Sequence, residues 1–269
     1  MNFGKTKIIL VLTAAIILTV IALFLIHNRY KIVIVDVPKF NHQQNAQPSQ
    51  TQSSSSPSTL NPSPLTLLLP VPFTSQAPTA NWDQLHNEAC EEADAIMSAA
   101  YFLELPSPIH GEGSGERLTS SNQNLDPKLV ESEIAKLTQW EDQNLGYHLD
   151  TTAAETAQMI ESVYGLKTKL INNFSAEDIK NELAQNRLVI ISEYGRALGN
   201  PYYKSPGPIH HMLLIKGYDG NNFITNDSGT KNGRNYIYTF DVIYNAAADW
   251  DHATNNVDLN RKIMIVVWK

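Results

Sequence analysis

The chain has 269 residues, room for one ordinary domain with accessory segments. A hydrophobic share of 42% and a charged share of 17% describe a folded protein and exclude a wholly disordered one. The net charge of −7 argues against a nucleic-acid binder, and the single cysteine, Cys90, excludes an internal disulfide and an all-thiolate zinc site.

Residues Ile8 to Ile26 form nineteen uncharged, mostly apolar positions, long enough to cross a hydrocarbon core of roughly 30 Å. Lys5 and Lys7 precede the run, and Arg29 and Lys31 follow it. No small-x-small cleavage site follows, so the segment is expected to be a single-pass anchor with the large polar part outside the membrane. Residues 31–64 are expected to be a flexible spacer: from Asn41 to Pro64 they are rich in Gln, Ser and Pro and nearly free of apolar residues, and so cannot offset their ordering entropy. A globular domain is expected over 65–269.

Within it, helical spacing of Ala93, Ile96, Met97, Ala100, Tyr101 and Leu103 predicts a helix that begins at Cys90. Asp126–Leu137, Thr151–Tyr164 (capped by Asp150 or Thr151, stopped by Gly165) and a segment from Ser175 to near Asn186 are further helices. Strands are expected at Leu188–Ser192, Met212–Tyr218, Phe223–Asn226, Tyr236–Phe240 and Ile263–Trp268. Helices first and an antiparallel sheet later give an α+β fold. His110 to Gly115 lacks the setting of a phosphate loop and reads as a flexible insertion, and Gly195 to Tyr203 reads as a connecting loop. His86, His148 and His252 lack ligand spacing, so no metal and no cofactor are expected.

A thiol at a helix start sits at the positive end of the helix dipole, which favours a thiolate. Glu88, Glu91, Glu92 and Asp94 around Cys90 work against it. Downstream, His211 opens a β-prone run that ends in Asp219-Gly220-Asn221, a turn signal, before the run to Asp227. A three-residue loop puts Asp227 opposite Leu213 and diagonal to His211 on one face, roughly 7–8 Å away between backbones. A two-residue loop, Gly220-Asn221, instead turns Asn226 to the face of His211. In either register His210 and His211 point to opposite faces.

Val71-Pro-Phe-Thr-Ser-Gln76, Trp82, Ala89-Cys-Glu-Glu-Ala93, Met97, Tyr101, His211 to Tyr218 and Asn226-Asp-Ser-Gly-Thr230 together resemble C39-like peptidase domains, which are papain-like cysteine peptidases. The likeness runs from about Val71 to Trp268. It implies a papain-like α+β fold with Cys90 as nucleophile, His211 as general base and acid, Asp227 as orienting acid and Gln76 as side-chain donor of the oxyanion hole. It also implies a peptide or protein substrate, cell-wall peptide among them. An inactive papain-like binding module at the envelope is the alternative class, and thiol labelling separates the two.

Overall fold

The computed structural model describes residues 66–105 and 123–269. The expected anchor, the spacer and the glycine-rich insertion lie outside these residues. Among the described residues no helix is long and apolar enough to cross a membrane.

The elements are β1 (Thr66–Leu68), α1 (Gln84–Asn87), α2 (Cys90–Leu103), α3 (Pro127–Asn144), α4 (Ala153–Tyr164), β2 (Lys167–Asn172), α5 (Ala176–Ala184) and β3 (Leu188–Tyr194). A 3-10 turn (Gly195–Leu198) leads to β4 (His210–Asp219), β5 (Asn222–Asn226), β6 (Arg234–Thr239), α6 (Phe240–Ala246), β7 (Asp249–Asp251), β8 (Asn256–Asp258) and β9 (Ile263–Trp268). The architecture is α+β, helices preceding an antiparallel sheet ordered β2-β9-β3-β4-β5-β6, with β1 on β4 beyond the end of β3.

Helix boundaries follow from side-chain capping. Asp126 accepts from the amides of Lys128 and Leu129, with Pro127 in the first turn, and α3 continues past Leu137 to Asn144. The cap of α4 is Thr152 rather than Asp150 or Thr151, because only Thr152 has Glu155 three positions on to complete a capping box. Gly165, in the left-handed region, ends that helix as expected. Ser175 and Asp178 form the second capping box, on α5.

Helix α2 is buried from Cys90 through Ala100. It is buried on nearly every side, its acids Glu91, Glu92 and Asp94 included, because it lies in the core with α3 and α4 and against β4. The sheet's inner strands supply the rest: Leu188–Ile191, Met212–Ile215 and Ile263–Val267 are all buried.

The hairpin that carries the expected site residues combines both anticipated registers. Its loop is the shorter one: Asp219 pairs with Asn222 across Gly220-Asn221. That register alone would turn Asn226 toward His211. A bulge at Lys216 shifts the pairing by one, so that Leu214 pairs with Asn226 and the next position, Asp227, falls opposite Leu213. The expectation that Asp227 requires a three-residue loop is therefore corrected. The extra residue sits in the strand, not in the turn.

The bulge residue is fully buried, and its ammonium donates to the Val71 carbonyl at 3.1 Å. Burial, helped by Arg234, lowers its pKa from 10.5 to about 7. The folded state then binds fewer protons than the unfolded chain between pH 7 and 10.5, so stability from this group rises with pH across that window. Lys216→Met is expected to raise the melting temperature at pH 7 by several degrees and to flatten the rise between pH 7 and 10. Thermal melts of the two proteins at both pH values check this.

Candidate active site

Cys90 is the first residue of α2, after Ala89, which offers no side-chain cap. Its Sγ donates to Glu91 Oε2 at 2.9 Å. Burial is the largest influence on the thiol, followed by the charge and hydrogen bond of Glu91 and the charge of Asp94, and together they push its pKa well up. The backbone amide of Met212 pulls the other way. That amide is available for a structural reason. Ser192, paired with Met212, gives its carbonyl to Ala248, so the backbone groups of Met212 point away from β3. On that side β5 has already ended.

The flanking acids are less hostile than their number suggests. Burial pushes Glu92 and Asp94 well up into the neutral form, and with the charges of Asp150 and Glu91 it raises Glu88 to about 7. Glu193, opposite His211 on β3, is likewise pushed up by burial. Glu91 is the exception and stays ionised: burial would raise it, but His210 outweighs the burial.

The two adjacent histidines have separate partners, as strand alternation requires. His210 Nδ1 lies 3.4 Å from Glu91 and 3.3 Å from Asp150. Asp150 reaches it from a left-handed backbone (φ 54°) just before α4, a strained conformation for a residue with a side chain. His210 Nε2 faces Ser192 Oγ at 3.1 Å, and that hydroxyl gives its one hydrogen to the Ala248 carbonyl. Ser192 can therefore only accept from the ring, which places a proton on Nε2, while Nδ1 meets its two carboxylates at ion-pair distance without a hydrogen bond. Burial alone would depress the imidazolium, but Asp150 and Glu91 overcome it and raise the pKa to about 10. Cys90 Sγ, a Glu91 oxygen and a His210 nitrogen all lie within 4.8 Å of one another. The chain thus places a buried cysteine beside a buried histidine. The same three donors suit a divalent metal, at the expense of the thiol.

His211, buried, points the other way. Its Nε2 lies 3.1 Å from Asp227 Oδ1. Among the described residues its Nδ1 has no hydrogen-bond partner, and it is not fully sealed from solvent. Asp227 is the most heavily bonded carboxylate at the site. Oδ2 accepts from Asn200 (2.8 Å), Tyr203 (2.7 Å) and Tyr238 (2.7 Å), and Oδ1 also accepts from the Gly229 amide (3.1 Å). Burial would raise its pKa, but His211 and these donors hold it below the usual value. Two glycines make room for this packing. A Cβ on Gly229 would lie 3.1 Å from the His211 ring and 2.9 Å from Tyr203, and one on Gly233 would overlap the Asp227 backbone.

Asn226 is occupied elsewhere. It donates to the carbonyls of Val71 and Pro72, fixing the segment that leads to Gln76. Gln76 Nε2 donates to His86 (2.9 Å) and Asn87 (2.8 Å), the carbonyls just before Cys90, so both its hydrogens are engaged. Among the described residues no hydrogen bond joins Cys90 to either imidazole.

Sequence reasoning missed several of these groups. The segment read as a connecting loop supplies Asn200 and Tyr203 to Asp227. Nothing in its composition marks that contact. The His210–Glu91–Asp150 cluster depends on the left-handed turn at Asp150, which has no sequence signature.

Glu91→Gln removes the charge that most disfavours the thiolate after burial. Its expected effect is a downward shift, by one pH unit or about that, in the profile of iodoacetamide alkylation of Cys90. Stopped-flow alkylation across pH 6–10 measures it.

A solved structure of a Bacillus anthracis protein described as a C39-like peptidase aligns with 76% of this chain and 98% of its own length, at 14% identity and a TM-score of 0.41. No curated protein matches. The model of the Peptidase_C39 like family matches residues 68–257. With that match spanning most of its length, and a buried cysteine–histidine pair in place, the chain belongs to the C39-like family of cysteine peptidases.

Proposed function

We propose that the protein is a membrane-anchored, papain-like thiol peptidase or amidase that cleaves peptide bonds outside the membrane, with Cys90 as nucleophile, His211 as base and acid, and Asp227 as its orienting group. The observation that carries this reading is the division of labour between the two histidines. His210 Nε2 donates to Ser192, and its Nδ1 lies at ion-pair distance from Glu91 (3.4 Å) and Asp150 (3.3 Å), which favour the doubly protonated ring and so leave no lone pair for the thiol proton. His211 has Nε2 held by Asp227 and, among the described residues, no hydrogen bond on Nδ1, and it directly precedes Met212, whose amide favours the Cys90 thiolate. Side-chain rotation is required to bring Nδ1 and the sulfur together.

In the proposed cycle His211 takes the thiol proton and the thiolate attacks the substrate carbonyl carbon. The oxyanion meets the Cys90 amide, in the helix's first turn where no intrahelical acceptor exists, and Gln76 Nε2, which exchanges one of its two carbonyl bonds for the substrate oxygen. The imidazolium protonates the leaving nitrogen as the C–N bond breaks. Water, deprotonated by the same imidazole, then hydrolyses the thioester, releasing the carboxylate product and restoring the thiol. The Ile8–Ile26 segment supplies the anchor and residues 31–64 the reach, which suits peptide substrates at the cell envelope.

The test is an electrophilic thiol probe on the full chain at pH 7–9, scored by mass spectrometry. Labelling of Cys90 in the wild type, lost in His211→Ala, is expected. Equal labelling of both proteins would leave a papain-like binding module as the better reading.

A further inference from the structure

We propose that a concavity beside Asp227 is a subsite for a carboxylate of the peptide substrate, with Lys231 as its principal cation; this rests on the peptidase reading above. The concavity encloses about 260 Å³ and is lined by Asn124, Tyr202, Lys231, Asn232 and Arg234. Two cations and two side-chain amides converge there, in a chain whose net charge is −7. A general basic surface therefore does not account for them. Arg234 is itself tied to Asn124 (3.4 Å), which orients its guanidinium along the wall, while Lys231 is exposed and extends from the loop.

Chain neighbours and ring contacts link the concavity to Asp227. Lys231 and Asn232 lie on the turn that follows Asp227, closed by bonds from the Asp227 amide to the Gly233 carbonyl (3.0 Å) and from the Asn232 amide to Thr230 Oγ1 (3.2 Å). Tyr202 precedes Tyr203, a donor to Asp227. Tyr202 also packs edge-on against Tyr236, which contacts Tyr238, another donor to Asp227. Tyr202 is 55% exposed, a large aromatic face left open at the rim. Paired cationic and amide donors recognise a carboxylate, and an open tyrosine beside them covers the aliphatic part of a peptide residue. The group bound is either a C-terminal carboxylate or an acidic side chain.

The experiment measures binding rather than turnover. Full-length Cys90→Ala holds peptides without cleaving them. Fluorescence anisotropy compares labelled peptides ending in a free carboxylate with their C-terminal amides, and internal Glu with internal Gln. At least one carboxylate peptide is expected to bind about tenfold more tightly than its neutral partner, the scale of one charge-assisted hydrogen bond. Which pair discriminates identifies the carboxylate. Lys231→Ala, and its combination with Arg234→Gln, are expected to abolish the discrimination with an unchanged melting temperature. Equal binding within both pairs, discrimination that survives the double variant, or no binding of any peptide would each overturn the subsite. Thiol labelling of the wild type is scored separately, so failure of the peptidase reading is distinguishable from failure of the subsite.

Discussion

His211→Ala is expected to lower kcat/KM by about 10⁴ or more at every pH, because the thiol then lacks the group that takes and returns its proton. His210→Gln is expected to behave differently. His210 balances Glu91 and Asp150, and its removal leaves Glu91 uncompensated next to the sulfur. The thiol pKa should rise further, so activity should fall at neutral pH and recover toward the wild-type value as the pH is raised. Removing one partner of a buried ion pair also costs about 3–5 kcal/mol of stability, so both variants should melt below the wild type, and the pH profiles carry the distinction. Two pH profiles of kcat/KM with matching melts decide the matter. Recovery of His211→Ala at high pH, together with loss of activity in His210→Gln at all pH values, would transfer the role of base to His210.

The difference between these neighbours shows what a sequence reveals about a site. Strand alternation already separates the two rings, and the turn signal at Asp219-Gly220-Asn221 already locates the hairpin. Helix α2 beginning at Cys90, the capping box from Ser175 to Asp178 and strand β9 at Ile263–Trp268 are local patterns, and they fold as their patterns require. The register at Asp227 is another matter. It depends on a bulge at Lys216, and a bulge is chosen by tertiary context: a buried ammonium satisfied by a carbonyl 145 residues earlier in the chain. The same limit applies to β1, β2 and α6, which are too short or too half-exposed for periodicity to announce. It applies as well to Asn200, Tyr203 and Tyr238, whose only shared feature is that they end on one carboxylate. The charge on each acid near Cys90 was equally hidden. Four acidic letters look like four charges, yet burial leaves Glu91 as the one clearly held ionised.

Asp227→Asn should be the most damaging conservative change outside Cys90 and His211. The carboxylate accepts five hydrogen bonds, two on Oδ1 and three on Oδ2. An asparagine can keep its oxygen toward His211 and Gly229. Its NH2 then meets three groups that now donate, and the Tyr203 and Tyr238 hydroxyls must find new acceptors in a buried site. The expected cost is about 3 kcal/mol or more, with kcat reduced roughly 10²–10⁴-fold as the imidazole loses the charge that stabilises its protonated form. The pH dependence fixes the cause. A carboxylate whose folded pKa lies below its ordinary 3.8 contributes stability that is complete above that value and disappears as the pH falls through the folded pKa. The stability gap between wild type and Asp227→Asn, taken from urea unfolding, should therefore be constant from pH 5 to 7 and close below about pH 3.8. A gap that persists undiminished into strong acid would assign Asp227 a packing role alone, and the orientation of His211 would have to be sought in another group.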